Sequence, residues 1–296
     1  MYSVNLSQPV VPRDRIKVIG AQGVMLSVQE WGNPNGQPIL FAHAYGMSHL
    51  AWLAQVTSEL AQEFRLVTFD HRGHGESEKP LAEDSYNQRD LFADDIQAII
   101  TQLNLKDLVL VGHSMSGVLV GDYVMKYGDR NVAGVVLVGA NNKLGTEMFQ
   151  TQIGQAFVAP QSQAIFSESL YEQIGGWNFL NRHLTTNPMN KDAQDIILAT
   201  SVLMPMVARR TIAMRDENYL SLYKNLNVPI LLIHAKDDQI VLPAAPEQLK
   251  AIRPDVTYTL YEMGGHSPHW ENSERFNQEL ATFVKTILLR SRDASE

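Results

Sequence analysis

The chain has 296 residues, 45% hydrophobic and 19% charged, with a net charge of −8 and no cysteine. That length suits one large α/β domain with an insertion or two medium domains, while the lack of cysteine removes disulfides, thiolate catalysis and cysteine zinc sites. The 24 Lys and Arg residues are scattered rather than clustered, which argues against nucleic acid or an anionic membrane as the main partner.

The opening MYSVNLSQPVVPRDR has neither a basic n-region nor an apolar h-region, so no signal peptide is expected. No apolar run approaches the ~20 residues of a membrane span. The expectation is a cytoplasmic protein.

In chain order, RIKVIG (15–20) and VMLSVQEWG (24–32) read as an opening hairpin, and PILFAHA (38–44) as a buried strand. A helix is expected from Leu50 to Glu63, then the strand RLVTFDH (65–71) and the loop RGHGESEKP. Leu91, Ile96, Ile99, Ile100 and Leu103 fall at helical spacing within 90–103. LVLVGH (108–113) is strand, Val118–Tyr127 helix and VAGVVLVGA (132–140) strand. PILLIHA (229–235) and VTYTLYE (256–262) complete about eight strands, with helices near Ala244–Ile252 and Ser273–Leu289. Strands alternating with helices predict a mostly parallel sheet flanked by helices.

Residues 143–225 break this rhythm. They hold no β-rich run but carry Met148, Met189, Met204, Met206 and Met214. The segment reads as a helical insertion, with Asn141–Gly145 and Asn225–Pro229 as candidate hinges. The division expected is a core of 1–142 and 226–296 with a cap at 143–225. The cap methionines serve either the cap's own apolar face or an adaptable apolar pocket.

The stretch VLVGHSMSGVLVG (109–121) carries the chemistry. Gly-x-Ser-x-small between a strand and a helix is the nucleophile elbow, a turn so tight that its neighbours must be small. Gly112, Ser116 and Gly117 meet that need, and Ser114 stands at the tip. The helix start would favour negative charge there. A serine hydroxyl needs a base and an orienting carboxylate. His266, on the Gly264–Gly265 turn after a strand, is the candidate base, with His269 as its rival. Asp237 and Asp238 lie just past a strand's C-terminal end, where active groups of α/β sheets gather. Asp238 is chosen, because Asp237 can simply shape the turn. An oxyanion needs two donors. The backbone N–H of Met115 supplies one, and that of Tyr45, after PILFAHA, the other. The tyrosine side chain is incidental to this role.

HAYG (43–46), FDHRGHGES (69–77), GHSMSG (112–117), IHAKDDQIV (233–241) and GGHSPHWE (264–271) occur in this order. Through them the chain resembles the α/β-hydrolase-fold serine hydrolases over nearly its whole length, nearest the subgroup of cofactor-free haloperoxidases and related esterases. The resemblance implies a Ser114–Asp238–His266 triad, ester-like substrates and a cap over the site. Two departures stand out. Ala44 replaces the usual glycine of the His-Gly motif, and Ser116 the commoner second glycine of the elbow. Some relatives carry the acid after the sixth strand, where this chain has Asn141.

Other residues have plainer readings. His43 and His74 are expected to tie loops together, His113 to point away from substrate, and His234 to be a satisfied core histidine. Asp70 and Arg72 are expected to pin the loop after their strand as a local ion pair or turn device. No H-E-x-x-H occurs and the histidines lack ligand spacing, so no metal is expected, nor any cofactor. The function expected is hydrolysis of a small or medium apolar carboxylic ester through an acyl-enzyme. Carbon–carbon bond, thioester or lactone hydrolysis, or a ligand sensor with slow hydrolysis, are the alternatives. Aspartate would stand in place of Ser114 in an epoxide or haloalkane hydrolase.

Overall fold

The computed structural model describes residues 3–293. Ten strands form: β1 Asp14–Ile19, β2 Met25–Gly32, β3 Pro38–Ala42, β4 Arg65–Phe69, β5 Leu108–His113, β6 Val132–Val138, β7 Lys143–Leu144, β8 Glu217–Asn218, β9 Ile230–Ala235 and β10 Thr257–Tyr261. Eight of them make one sheet in the order β1-β2-β4-β3-β5-β6-β9-β10. β1, β2 and β4 pair antiparallel, and all later pairs are parallel. This is the α/β hydrolase architecture expected from the alternation of apolar runs.

Side chains of a strand alternate between faces, so a sheet covered on both sides needs apolar residues at every position. Leu40, Leu108, Leu110, Val135 and Leu232 enter one core cluster, beneath helices Arg89–Gln102 and Ser116–Tyr127. Ile39, Phe41, Val109, Val111, Val136 and Ile233 enter the other, under helix Ser273–Asp293 and the 49–63 segment. Each such side chain contributes about 1.5–3 kcal/mol by leaving water.

The helix expected over Leu50–Glu63 is broken into a 3-10 turn His49–Trp52 and short helices Leu53–Val56 and Leu60–Glu63. Thr57 Oγ1 donates to Leu53 O at 2.7 Å and Ser58 Oγ to Gln55 O at 2.7 Å. These hydroxyls compete with the helical ladder and divert it.

Between β6 and β9 the chain runs through helices including Leu170–Asn181, Lys191–Leu203 and Met206–Ala213. The ends of this stretch are tied by β7 pairing with β8. Trp177, Leu180, Leu184 and Met189 pack with Ala44, Met47 and Trp270, so the helices sit on loops beyond the strand ends. Met189 and Met204 are buried there, whereas Met214 is exposed. Among the described residues no single helix is long and apolar enough to cross a membrane.

Candidate active site

β5 ends at His113 and a helix begins at Ser116. Ser114 between them takes φ 55°, the left-handed region, which costs about 1–3 kcal/mol for a residue with a side chain. The turn is fastened by Ser114 N–H donating to Val138 O at 3.0 Å and Gly117 N–H to Ser114 O at 2.9 Å. A Cβ on Gly112 would lie 2.6 Å from the Ser116 carbonyl oxygen, so only glycine allows this crossing.

Asp238 lies in the turn after β9, buried, whereas Asp237 faces solvent. Its Oδ1 accepts from Ile240 N–H at 2.8 Å and Val241 N–H at 3.0 Å. Its Oδ2 accepts from His266 Nδ1 at 2.8 Å. An ionised carboxylate only accepts, so Nδ1 carries the proton and Nε2 is left as the basic nitrogen. Burial works to raise the Asp238 carboxyl, but the charge of His266 and hydrogen bonds from His234 and His266 hold it well below the usual carboxylate range.

His113 turns away from Ser114 and donates through Nε2 to the His266 carbonyl at 3.0 Å. Their rings lie 5.0 Å apart, so the residue before the serine touches the candidate base. His269 is fully buried against Trp52 and His113, at ring distances of 4.7 and 4.5 Å. Among the described residues neither of its ring nitrogens has a partner.

Further imidazoles brace the loops. His43 donates through Nδ1 to Ala44 O at 2.8 Å and accepts from His71 N–H at 3.1 Å. The Ser116 hydroxyl donates to His43 O at 2.5 Å and meets His71 Nε2 at 2.9 Å. The serine at the elbow's second small position therefore adds a strut to the loop that follows β3. Burial pushes His71 down to about 3 and His74 down to about 4, keeping both neutral.

Asp70 and Arg72 do hold their loop, but as separate devices rather than as a mutual ion pair. Asp70 accepts from Glu76 N–H at 2.7 Å and pairs with His49 at 3.0 Å. Arg72 reaches across to Asp95 at 2.6 Å. Both carboxylates are buried, and each guanidinium or imidazole goes to the partner that shares its buried space.

A cavity of ≈ 60 Å³ adjoins Ser114. Tyr45, Met115 and Asn141 line it from the core, and Met148, Phe157 and Ile212 from the helical stretch. It holds no charged side chain. Among the described residues, the backbone N–H groups of Tyr45 and Met115 have no acceptor. Two unpaired donors beside a strained serine can receive negative charge on a bound oxygen. No group of three or more metal-ligating side chains occurs among the described residues.

The Tyr45 side chain fastens its loop to the helical stretch. Its hydroxyl donates to Arg209 O at 2.8 Å, and its ring lies 5.9 Å from that of Trp177. His234 is the buried, hydrogen-bonded core histidine expected, and it also stands beside Asp238. Its Nε2 donates to Val241 O at 2.9 Å and lies 3.3 Å from Asp238 Oδ2. The sequence signal was the four-residue step from His234 to Asp238 across a strand end. Nothing local marked Ile212 or Phe157 as cavity residues.

With this geometry, the chain belongs to the α/β hydrolase fold family, whose model matches residues 37–273. It is a hydrolase of the group that holds the cofactor-free haloperoxidases and esterases. A non-heme chloroperoxidase from Kitasatospora aureofaciens is 26% identical over 270 residues, covering 88% of this chain and 96% of that protein. A solved structure from Burkholderia cenocepacia, assigned as an aryl esterase, superposes with a TM-score of 0.86 at 31% identity, covering 93% of this chain and 99% of that one. An esterase from Rhodococcus gives a TM-score of 0.86 at 27% identity, covering 92% and 99%. The kinship is to ester hydrolases in general.

Proposed function

We propose that the chain is a serine esterase acting through an acyl-enzyme, with Ser114 as nucleophile, His266 as base and Asp238 as its orienting acid. The observation that carries this reading is the 2.8 Å Asp238–His266 hydrogen bond, with the His266 carbonyl held by His113, the neighbour of a serine at φ 55°. Ser114 Oγ attacks the ester carbonyl while His266 Nε2 takes its proton. The N–H groups of Tyr45 and Met115 receive the oxyanion. The intermediate collapses, and the leaving alkoxide takes the proton from His266. Water then attacks the acyl-enzyme, gives a proton to His266, and the acid departs as Ser114 regains its hydrogen. Asp238 stabilises the imidazolium at each stage.

Residues 143–225 serve in this reading as a cap over the core of 1–142 and 226–296. The cavity they help enclose, ≈ 60 Å³, is well below the ~150 Å³ that takes a benzene ring. An uncharged lining disfavours a carboxylate-bearing substrate, since burying an unpaired charge is costly. The substrate class favoured is therefore a neutral ester with a short aliphatic acyl group.

The test is steady-state hydrolysis of p-nitrophenyl esters from acetate to octanoate by wild type and Ser114→Ala. Repeated turnover, lost by about 10⁴-fold or more in the variant, is the expected result. Equal turnover by the variant, or a single slow turnover by the wild type, would overturn it.

A further inference from the structure

The loop bearing His266 is held from both sides by the helical stretch rather than by the sheet alone. Ser267 N–H, just after the histidine, donates to Leu184 O at 2.8 Å. Gly265, just before it, packs so closely on the same segment that a Cβ there would lie 3.1 Å from Leu184 O and from Thr185 backbone atoms. Between these contacts stands Glu271, half-buried in the short helix Pro268–Glu271. Its Oε2 accepts from Gly265 N–H at 2.5 Å. Its Oε1 accepts from Thr186 N–H at 2.8 Å, Thr186 Oγ1 at 2.7 Å and Asn187 N–H at 2.9 Å, with Asn187 Nδ2 at 3.4 Å.

We infer that Glu271 is a positioning residue, clamping the His266 loop to residues 184–187 so that the insertion forms part of the catalytic frame; this rests on the proposed role of His266. Only a carboxylate suits the place. Donors converge on both of its oxygens, and an ionised group accepts at each. An amide would turn a donor toward one set and leave it unpaired. The peptide before the histidine would then lose its fixed orientation. The resulting misplacement falls on proton transfer in the transition state rather than on substrate binding, and a shift of about 1 Å there costs up to about 10²-fold.

The experiment compares full-length wild type, Glu271→Gln, Thr186→Ala and the double variant on p-nitrophenyl acetate, with kcat expressed per site titrated by the p-nitrophenol burst. Expected for Glu271→Gln is a fall in kcat of about tenfold or more with KM within about twofold. Thr186→Ala, which removes one donor on the insertion side, lowers kcat in the same direction, and the double variant falls no further than Glu271→Gln alone. Unchanged kcat per titrated site in Glu271→Gln overturns the inference, even where less protein folds. Unchanged kcat in Thr186→Ala with a fully active clamp partner overturns the link to the insertion. His266→Ala, run beside them, separates the two levels: wild-type turnover there removes the triad reading itself.

Discussion

His234 Nε2 lies 3.3 Å from Asp238 Oδ2, the same oxygen that His266 Nδ1 reaches at 2.8 Å. A second imidazole thus stands behind the proposed acid and shares its charge. Replacing it by His234→Phe keeps the ring and removes the donor. The expected result is a loss of about 1–3 kcal/mol in stability as the buried Val241 carbonyl loses its donor, with kcat lowered about tenfold as the turn carrying Asp238 shifts. His234→Gln, which retains an N–H, should lie between. Urea unfolding and kcat for the three proteins check this, and equal kcat in all of them would refute it.

The hydroxyl of Tyr45 ties the loop after β3, proposed to supply an oxyanion donor, to the Arg209 carbonyl of helix Met206–Ala213. Tyr45→Phe removes that tie at a cost of about 1 kcal/mol. The loop's N–H would drift from the developing oxyanion, so kcat should fall several-fold while KM stays near wild type. A rise in KM at constant kcat would instead make the tyrosine a substrate-binding group.

Ile212 lines the cavity together with Ser114 and is itself 1% exposed. Ile212→Ala should open room for added methylenes and shift the p-nitrophenyl ester optimum toward longer acyl chains. Each methylene accommodated is worth about 1–3 kcal/mol in kcat/KM. The same change should destabilise the fold by about 2–5 kcal/mol through the lost packing. An unchanged chain-length profile in a folded variant would place the acyl group elsewhere.

Five buried histidines, His43, His71, His74, His113 and His269, are pushed down by burial, three of them to about 3 or about 4. Unfolded, each takes a proton near pH 6.5. Below that pH the unfolded chain binds more protons than the folded one, so stability falls as pH drops from about 6.5 toward 4, at about 1.4 kcal/mol per pH unit for each histidine that stays neutral. Asp122, raised to about 6 by burial, and Asp95, also raised by burial, act in the opposite sense but are fewer than the histidines. Melting temperatures at pH 7.5, 6.5 and 5.5 should therefore decline steeply. A flat profile would mean that these imidazoles are charged in the folded protein.

Strand positions were legible because burial on both faces of a sheet writes itself as continuous apolar runs, and β3, β5 and β9 fall within two residues of the expected limits. The elbow was legible for a similar reason: the crossing at Gly112 excludes side chains, so small residues must flank Ser114. Asp238 is the buried member of the Asp237–Asp238 pair and Asp237 the exposed one.

Partner choice across loops was not legible. Arg72 finds Asp95 rather than Asp70, because the fold lays helix Arg89–Gln102 beside the loop after β4. Local pattern determined the strands, the elbow and the residue types that the chemistry needs, since these depend on neighbours a few positions away. Only the tertiary structure decided the cavity's size, the tie from Tyr45 to Arg209 and the bridge from Glu271 to Thr186, since each requires backbone atoms brought together from distant parts of the chain.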